Sequence, residues 1–149
     1  MAALLDEVDL LLTRSPDDPL AVYERAAAQY ERFRALWLRL AGGAVEQVMI
    51  DDLRAILTPH TRVLDAGCGT GTLSRRIREM QPETQLTMLD LSSAMLAHTA
   101  NIAGEKLVGS VVDLPFPDNA FDIVVSSWVI ETVPDPLAAV AEYLRVIDT

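Results

Sequence analysis

The segment VLDAGCGTGTLSRRI, Val63–Ile77, constrains the fold of this chain more than any other stretch. An apolar run leads into it, an amphipathic run leads out, and Gly67, Gly69 and Gly71 stand at alternate positions between them. That pattern is a strand, a tight turn and a helix. Glycine adopts left-handed backbone and lets another group come close, and the free amides opening a helix point at whatever lies over the turn. The next apolar run, QLTMLD (85–90), ends in Asp90, 19 positions after Gly71. A carboxylate there can accept hydrogen bonds from both hydroxyls of a ribose. A ligand containing a nucleoside is therefore expected.

The rest of the chain repeats the alternation. RVLDAG (62–67), QLTMLD (85–90), KLVGSVVD (106–113) and FDIVVSS (121–127) read as strands. The last is nearly continuous in apolar residues, as a strand buried on both faces should be. Thr70–Met80, Ser92–Asn101 and Pro136–Ile147 read as helices, with Ser92 or Ser93 as a cap. Strands alternating with helices predict an α/β fold, a doubly wound parallel sheet. Before it, residues 2–13, 20–40 and 44–57 carry helical spacing, broken at SPDDP and at Gly42-Gly43. Two units are expected: an N-terminal helical cap over residues 1–58 and a ligand-binding unit over 59–149.

Charge narrows the partners. The net charge is −10 and the 12 basic residues are scattered, whereas a phosphate backbone is bound by clustered Lys and Arg. Neither nucleic acid nor an anionic membrane surface is expected. No apolar run approaches the roughly 18 residues of a membrane span. The N-terminal MAALLDEVDLLLTR carries Asp6, Glu7 and Asp9 and reads as an amphipathic helix rather than a signal peptide. The one cysteine, Cys68, permits no internal disulfide and fits a reducing cytoplasm. It reads as a small residue in a tight turn, not as a catalytic thiol. No metal-ligand cluster stands out, and His60 and His98 read as structural or solvated.

The glycine spacing discriminates among nucleosides. A dinucleotide fingerprint requires G-x-G-x-x-G; here Thr72 stands where the third glycine belongs, and no P-loop lysine follows. A nicotinamide-dependent oxidoreductase is thereby disfavoured. VLDAGCGTG (63–71) resembles the first motif of class I S-adenosylmethionine-dependent methyltransferases, of the small-molecule, type 11-like kind. LDLSSAML (89–96) resembles that family's acidic ribose loop, and VVDLPFPDNAFDIVVSSWVIETVPDP (111–136) its adenine-side loop and fourth strand. YERAAAQYERFRALW (23–37) resembles the helix that lids the cofactor in many members.

The resemblance implies a Rossmann-like sheet and a set of contacts to S-adenosylmethionine, with S-adenosylhomocysteine as product. The turn Asp65-Ala66-Gly67-Cys68-Gly69 through Gly71 receives the methionine part, and Asp65 orients the ammonium through a water. Asp90 takes the ribose hydroxyls, while Leu91 and Met95 flank the adenine; Met95 fits core packing equally. Asp113 accepts from the adenine amine, and Leu114 supplies a neighbouring backbone amide. Ser127 and Trp128 face the sulfonium, and Tyr23 or Tyr30 closes over it, although both tyrosines also suit packing on one helix face. No catalytic residue is marked. Glu131, in the loop after the fourth strand, is the nearest general base. Because SSWV follows that strand in place of an N-P-P-Y-type tetrad, the expected acceptor is a small molecule.

The resemblance departs at the end of the chain. Members continue into further strands, in the order 3-2-1-4-5-7-6, whereas this sequence supplies four, 3-2-1-4, and reads as truncated after the fourth strand and its helix. FDIVVSS is then an edge free of lysine and proline, of the kind that recruits another strand. The expected partner is a second copy or a completing chain, and a non-catalytic S-adenosylmethionine-binding module is the competing function.

Overall fold

The computed structural model describes residues 43–148, together with 34–36 and 39. Helix α1 (Gly43–Ile56) precedes strand β1 (Arg62–Ala66). Helix α2 (Thr72–Met80), strand β2 (Gln85–Asp90), helix α3 (Ser93–Ala97) and strand β3 (Glu105–Val108) follow. Strand β4 (Ile123–Val125) and helix α4 (Pro136–Val146) complete the order. The predicted helices over 2–13 and 20–40 lie outside the described residues, except that 34–36 are helical.

The four strands form one parallel sheet in the order β3-β2-β1-β4, as predicted. Central β1 is buried because both its faces are covered. Val63 joins the core under α1 and α2 with Ile50, Leu73 and Ile77, while Leu64 and Ala66 face the opposite core with Ala139 and Val146 of α4. This is the period of two expected of a strand, and it puts Asp65 on the α2 side. Each fully buried aliphatic side chain contributes about 1.5–3 kcal/mol. Caps set the helix starts: the Ser92 side chain accepts from the Met95 amide at 3.2 Å, and Asp135 from the Ala138 amide at 3.0 Å with Pro136 beginning α4.

Two strands are shorter than the sequence suggests. β3 stops at Val108 because the Gly109 amide donates to the Asp90 carbonyl at 3.0 Å and the chain then turns, Ser110 pairing with Asp113. β4 is confined to the three residues that pair with β1. Beyond them the Ser126 hydroxyl, not the backbone, bonds the Ala66 carbonyl, at 2.9 Å.

No described strand covers the outer edge of β4. Val45, Val48 and Ile56 of α1 are exposed beside it on one face of the sheet, and Leu137 and Leu144 of α4 are exposed on the other. Ile147 forms a parallel bridge with Phe121, just before β4 begins. At that same end of the strands Arg62 pairs with Asp122 and Asp148 and donates to the Asn119 carbonyl, tying the starts of β1 and β4 together.

Candidate functional site

The turn after β1 holds three left-handed glycines in a row of alternate positions: φ is +78° at Gly67, +54° at Gly69 and +80° at Gly71. Two of them make room for the protein's own side chains. A Cβ on Gly67 would lie 2.4 Å from a methyl of Val129, in the loop after β4, and one on Gly71 would lie 2.6 Å from Ile102 and 2.8 Å from Thr99. At 67 and 71 the absent side chains seat the neighbouring loops. Backbone bonds complete the turn, with the Gly67 and Cys68 amides donating to the Leu89 carbonyl and the Gly71 amide to the Cys68 carbonyl.

Asp65 lies beneath that turn, 1 % exposed, with the Ser74 hydroxyl of α2 donating to it at 2.5 Å. Burial pushes its carboxyl up to about 6, and the Asp90 charge adds to this. The Ser74 hydrogen bond and the positive charge of Arg34 oppose the rise. Arg34 is held by Glu46, in the first turn of α1, at 2.7 Å, and both side chains are largely buried. Ser74 and Arg34 were not read from the sequence. Ser74 sits one helical turn into α2 and was indistinguishable from any helix serine.

Asp90 ends β2 half-buried, as predicted. One carboxylate oxygen accepts from the Gly69 amide at 2.7 Å and the other from the Ser92 amide at 2.9 Å. Burial raises its pKa, and the amides of Ser92, Gly69 and Leu91 pull against that rise. The carboxylate therefore locks the glycine turn of β1 to the cap of α3, across the top of the sheet. Cys68 is buried and burial pushes its thiol up, with Asp65 and Asp90 adding to the shift, as suits a small turn residue and not a nucleophile.

The other predicted residues divide. Leu91 is exposed at the end of β2, and Met95, on α3, is 2 % exposed. Asp113 is exposed at the turn after β3. The Leu114 amide, expected to face the ligand, donates to the Glu142 carboxylate of α4 at 2.7 Å. Ser127 is half-buried and Trp128 partly exposed, and Trp128 takes a left-handed φ of +62° that a bulky residue adopts only under strain. Its neighbour Ser126, not singled out from the sequence, bonds both the Ala66 carbonyl and the Tyr143 hydroxyl at 2.9 Å. Glu131 is exposed. Tyr23 and Tyr30 lie outside the described residues. Among the described residues no cluster of His, Cys, Asp and Glu could hold a metal ion, and no helix is long and apolar enough to cross a membrane.

Asp65, the glycine turn, Asp90 and the loop of Asp113 thus gather beyond the carboxyl ends of β1, β2 and β3, where open α/β sheets place ligands. A family model described as a methyltransferase domain matches residues 64–149. The malonyl-[acyl-carrier protein] O-methyltransferase of Serratia marcescens is 35% identical over 130 residues, covering 85% of this chain and 47% of that protein. The ubiquinone/menaquinone biosynthesis C-methyltransferase UbiE of Methylobacterium nodulans is 33% identical over 137 residues, 85% of this chain and 53% of that protein. The chain thus spans about half the length of the curated relatives it matches. In fold, it resembles a SAM-dependent methyltransferase from Thermotoga maritima, with a TM-score of 0.63 at 24% identity over 87% of this chain and 57% of that one.

Proposed function

This chain belongs to the methyltransferase-domain family, and on that premise we propose that it binds S-adenosylmethionine and methylates a small-molecule acceptor. The observation that carries the reading is Asp90, a half-buried carboxylate at the end of β2 clasping a left-handed glycine turn. Each of its oxygens accepts one amide and keeps a second lone pair, which is what a ribose diol requires.

The donor set fits the cofactor. S-adenosylmethionine carries a sulfonium, an ammonium, a carboxylate, two ribose hydroxyls and an adenine amine. This end of the sheet carries Asp90 and Asp113, with Asp65 buried beneath the glycine turn and the Arg34 charge reaching it. When bound, the cofactor supplies a methyl on a good leaving group. The protein's part is to hold, align and exclude water. In this reading Asp65, behind the glycine turn, orients the ammonium through a water, and Asp113 accepts from the adenine amine. Leu91 covers the adenine, Ser127 and Trp128 face the sulfonium, and Tyr23 or Tyr30 of the 1–58 cap closes over it. Glu131 takes a proton when the acceptor must lose one. The two relatives named above transfer to oxygen and to carbon, so the acceptor atom is open between them.

The same reading makes residues 59–149 a cofactor-binding half of four strands. The bare edge of β4, with apolar α1 and α4 residues exposed on either side, then takes a further strand from a second copy or a completing chain. The lone buried Cys68 suits a reducing cytoplasm.

Calorimetric titration with S-adenosylhomocysteine tests the proposal. Micromolar binding that Asp90→Ala abolishes is the expected result. A folded chain that binds no S-adenosylhomocysteine overturns the cofactor reading.

A further inference from the structure

We infer that Glu142 and Arg145 of α4, which bond the loop after β3, are positioning residues for Asp113, and that they set the chain's preference for a purine bearing an amine at position 6. The inference rests on the cofactor reading above and assigns roles to residues that it leaves out.

The guanidinium of Arg145 uses all five of its N–H groups. Its Nε and one terminal nitrogen form a fork with Glu142 at 2.8 and 2.7 Å. The remaining three bond the Leu114 carbonyl at 3.0 Å, the Phe116 carbonyl at 2.7 Å and the Asp118 carboxylate at 3.0 Å. Glu142 in turn accepts the Leu114 amide at 2.7 Å. Hydrogen bonding to Arg145 holds the Glu142 carboxyl below its ordinary range, so it stays a charged acceptor at neutral pH.

Leu114 is therefore held at both ends, its N–H by Glu142 and its C=O by Arg145. Its N–H belongs to the peptide plane that follows Asp113. Fixing that plane restrains ψ of Asp113, and with it the direction in which the Cα–Cβ bond leaves the loop. On the other side Asp113 is held only by the short turn to Ser110, its amide donating to the Ser110 carbonyl at 3.3 Å. Pro115 and Pro117 further restrict the backbone downstream. An exposed Asp113 on a loop with this much restraint spent on one side resembles a group whose aim matters. Arginine is required because lysine cannot span three separate acceptors with a planar fork.

The test compares S-adenosylhomocysteine with its analogue lacking the 6-amino group, by calorimetry on the full chain and on Arg145→Lys, Glu142→Gln, Asp113→Asn and the double variant Arg145→Lys/Asp113→Asn. Hydrogen exchange at the Leu114 amide reports the clamp independently of ligand. The wild type is expected to favour the 6-amino compound by about tenfold, the scale of one hydrogen bond to a charged group. Arg145→Lys and Glu142→Gln should release the Leu114 amide and lower that ratio to the Asp113→Asn value, and the double variant should lower it no further. Equal weakening of both ligands, with the ratio kept, would reduce the pair to support of the fold and overturn the inference; Glu142→Gln decides this if Arg145→Lys does not fold. Wild-type binding without preference overturns the inference and leaves the cofactor reading standing, whereas a folded wild type that binds neither compound overturns both.

Discussion

Strand β1 has unlike surroundings at its carboxyl end and along the neighbour it shares with the open edge. At its carboxyl end every element closes on another: Val129 fills the space over Gly67, Thr99 and Ile102 fill that over Gly71, and Asp90 binds two amides. One strand away, β4 is the outermost described strand of the sheet, with Val45, Val48 and Ile56 exposed beside it. The first region spends stability on polar groups and strained backbone. The second leaves apolar surface in water. Strained backbone and buried carboxylates are costs that binding sites carry, and apolar area in water beside a strand edge is what a packing contact would cover.

Substituting Gly67 attacks the closed region most directly. Gly67→Ala combines a φ of +78° with a Cβ placed 2.4 Å from Val129. A loss of about 3 kcal/mol or more in chemical denaturation is expected. Val129→Ala in the same chain should recover the steric part and leave the backbone part. A neutral Gly67→Ala would show that the post-β4 loop does not rest on the turn.

Next in size is the pH dependence of Asp65. Its native carboxyl titrates at about 6, above its value in the unfolded chain, because burial penalises the charge. The native state therefore keeps this proton between roughly pH 4 and 6 while the unfolded chain releases it, so the contribution is full below about pH 4 and is lost as pH rises through 6. The scale is about 2–3 kcal/mol. Asp65→Asn should accordingly stabilise the unliganded protein relative to wild type at pH 8, by an advantage that vanishes near pH 4, while weakening S-adenosylhomocysteine binding. Parallel stability profiles for the two proteins would mean that Asp65 is not strained by its burial.

The smallest expected effect on stability lies at the open edge. Val48 is 61% exposed, and Val48→Lys should change unfolding free energy by under about 0.5 kcal/mol. Its effect should appear in sedimentation instead, where the wild type self-associates with rising concentration and the variant does so less. A wild type that stays monomeric to about 100 μM would remove self-pairing as the fate of this edge.

Local signals explain what was legible in the chain. β2 begins and ends where alternation and Asp90 place it, and the glycine turn and the start of α4 follow short-range rules carried by adjacent residues. What was not legible clusters where a distant residue decides. The Leu114 amide meets Glu142, 28 positions away, and Ser126 meets Ala66, 60 positions away. β3 ends early because the chain turns after Gly109, where Ser110 pairs with Asp113, and beyond β4 the Ser126 hydroxyl takes the Ala66 carbonyl, which no run of apolar residues reveals.

The residue order alone determined the strand–turn–helix unit, the parallel sheet and the carboxylates at its rim, because backbone conformation and hydrophobic period depend on neighbours a few positions apart. Only the tertiary structure decided which glycines seat side chains and which amides remain for a ligand. It also decided that Asp65 is buried against Ser74 and that Arg145 of α4 bonds two carbonyls of the loop after β3. Those outcomes depend on which groups meet in space when both faces of the sheet are covered, and sequence separation carries no record of that.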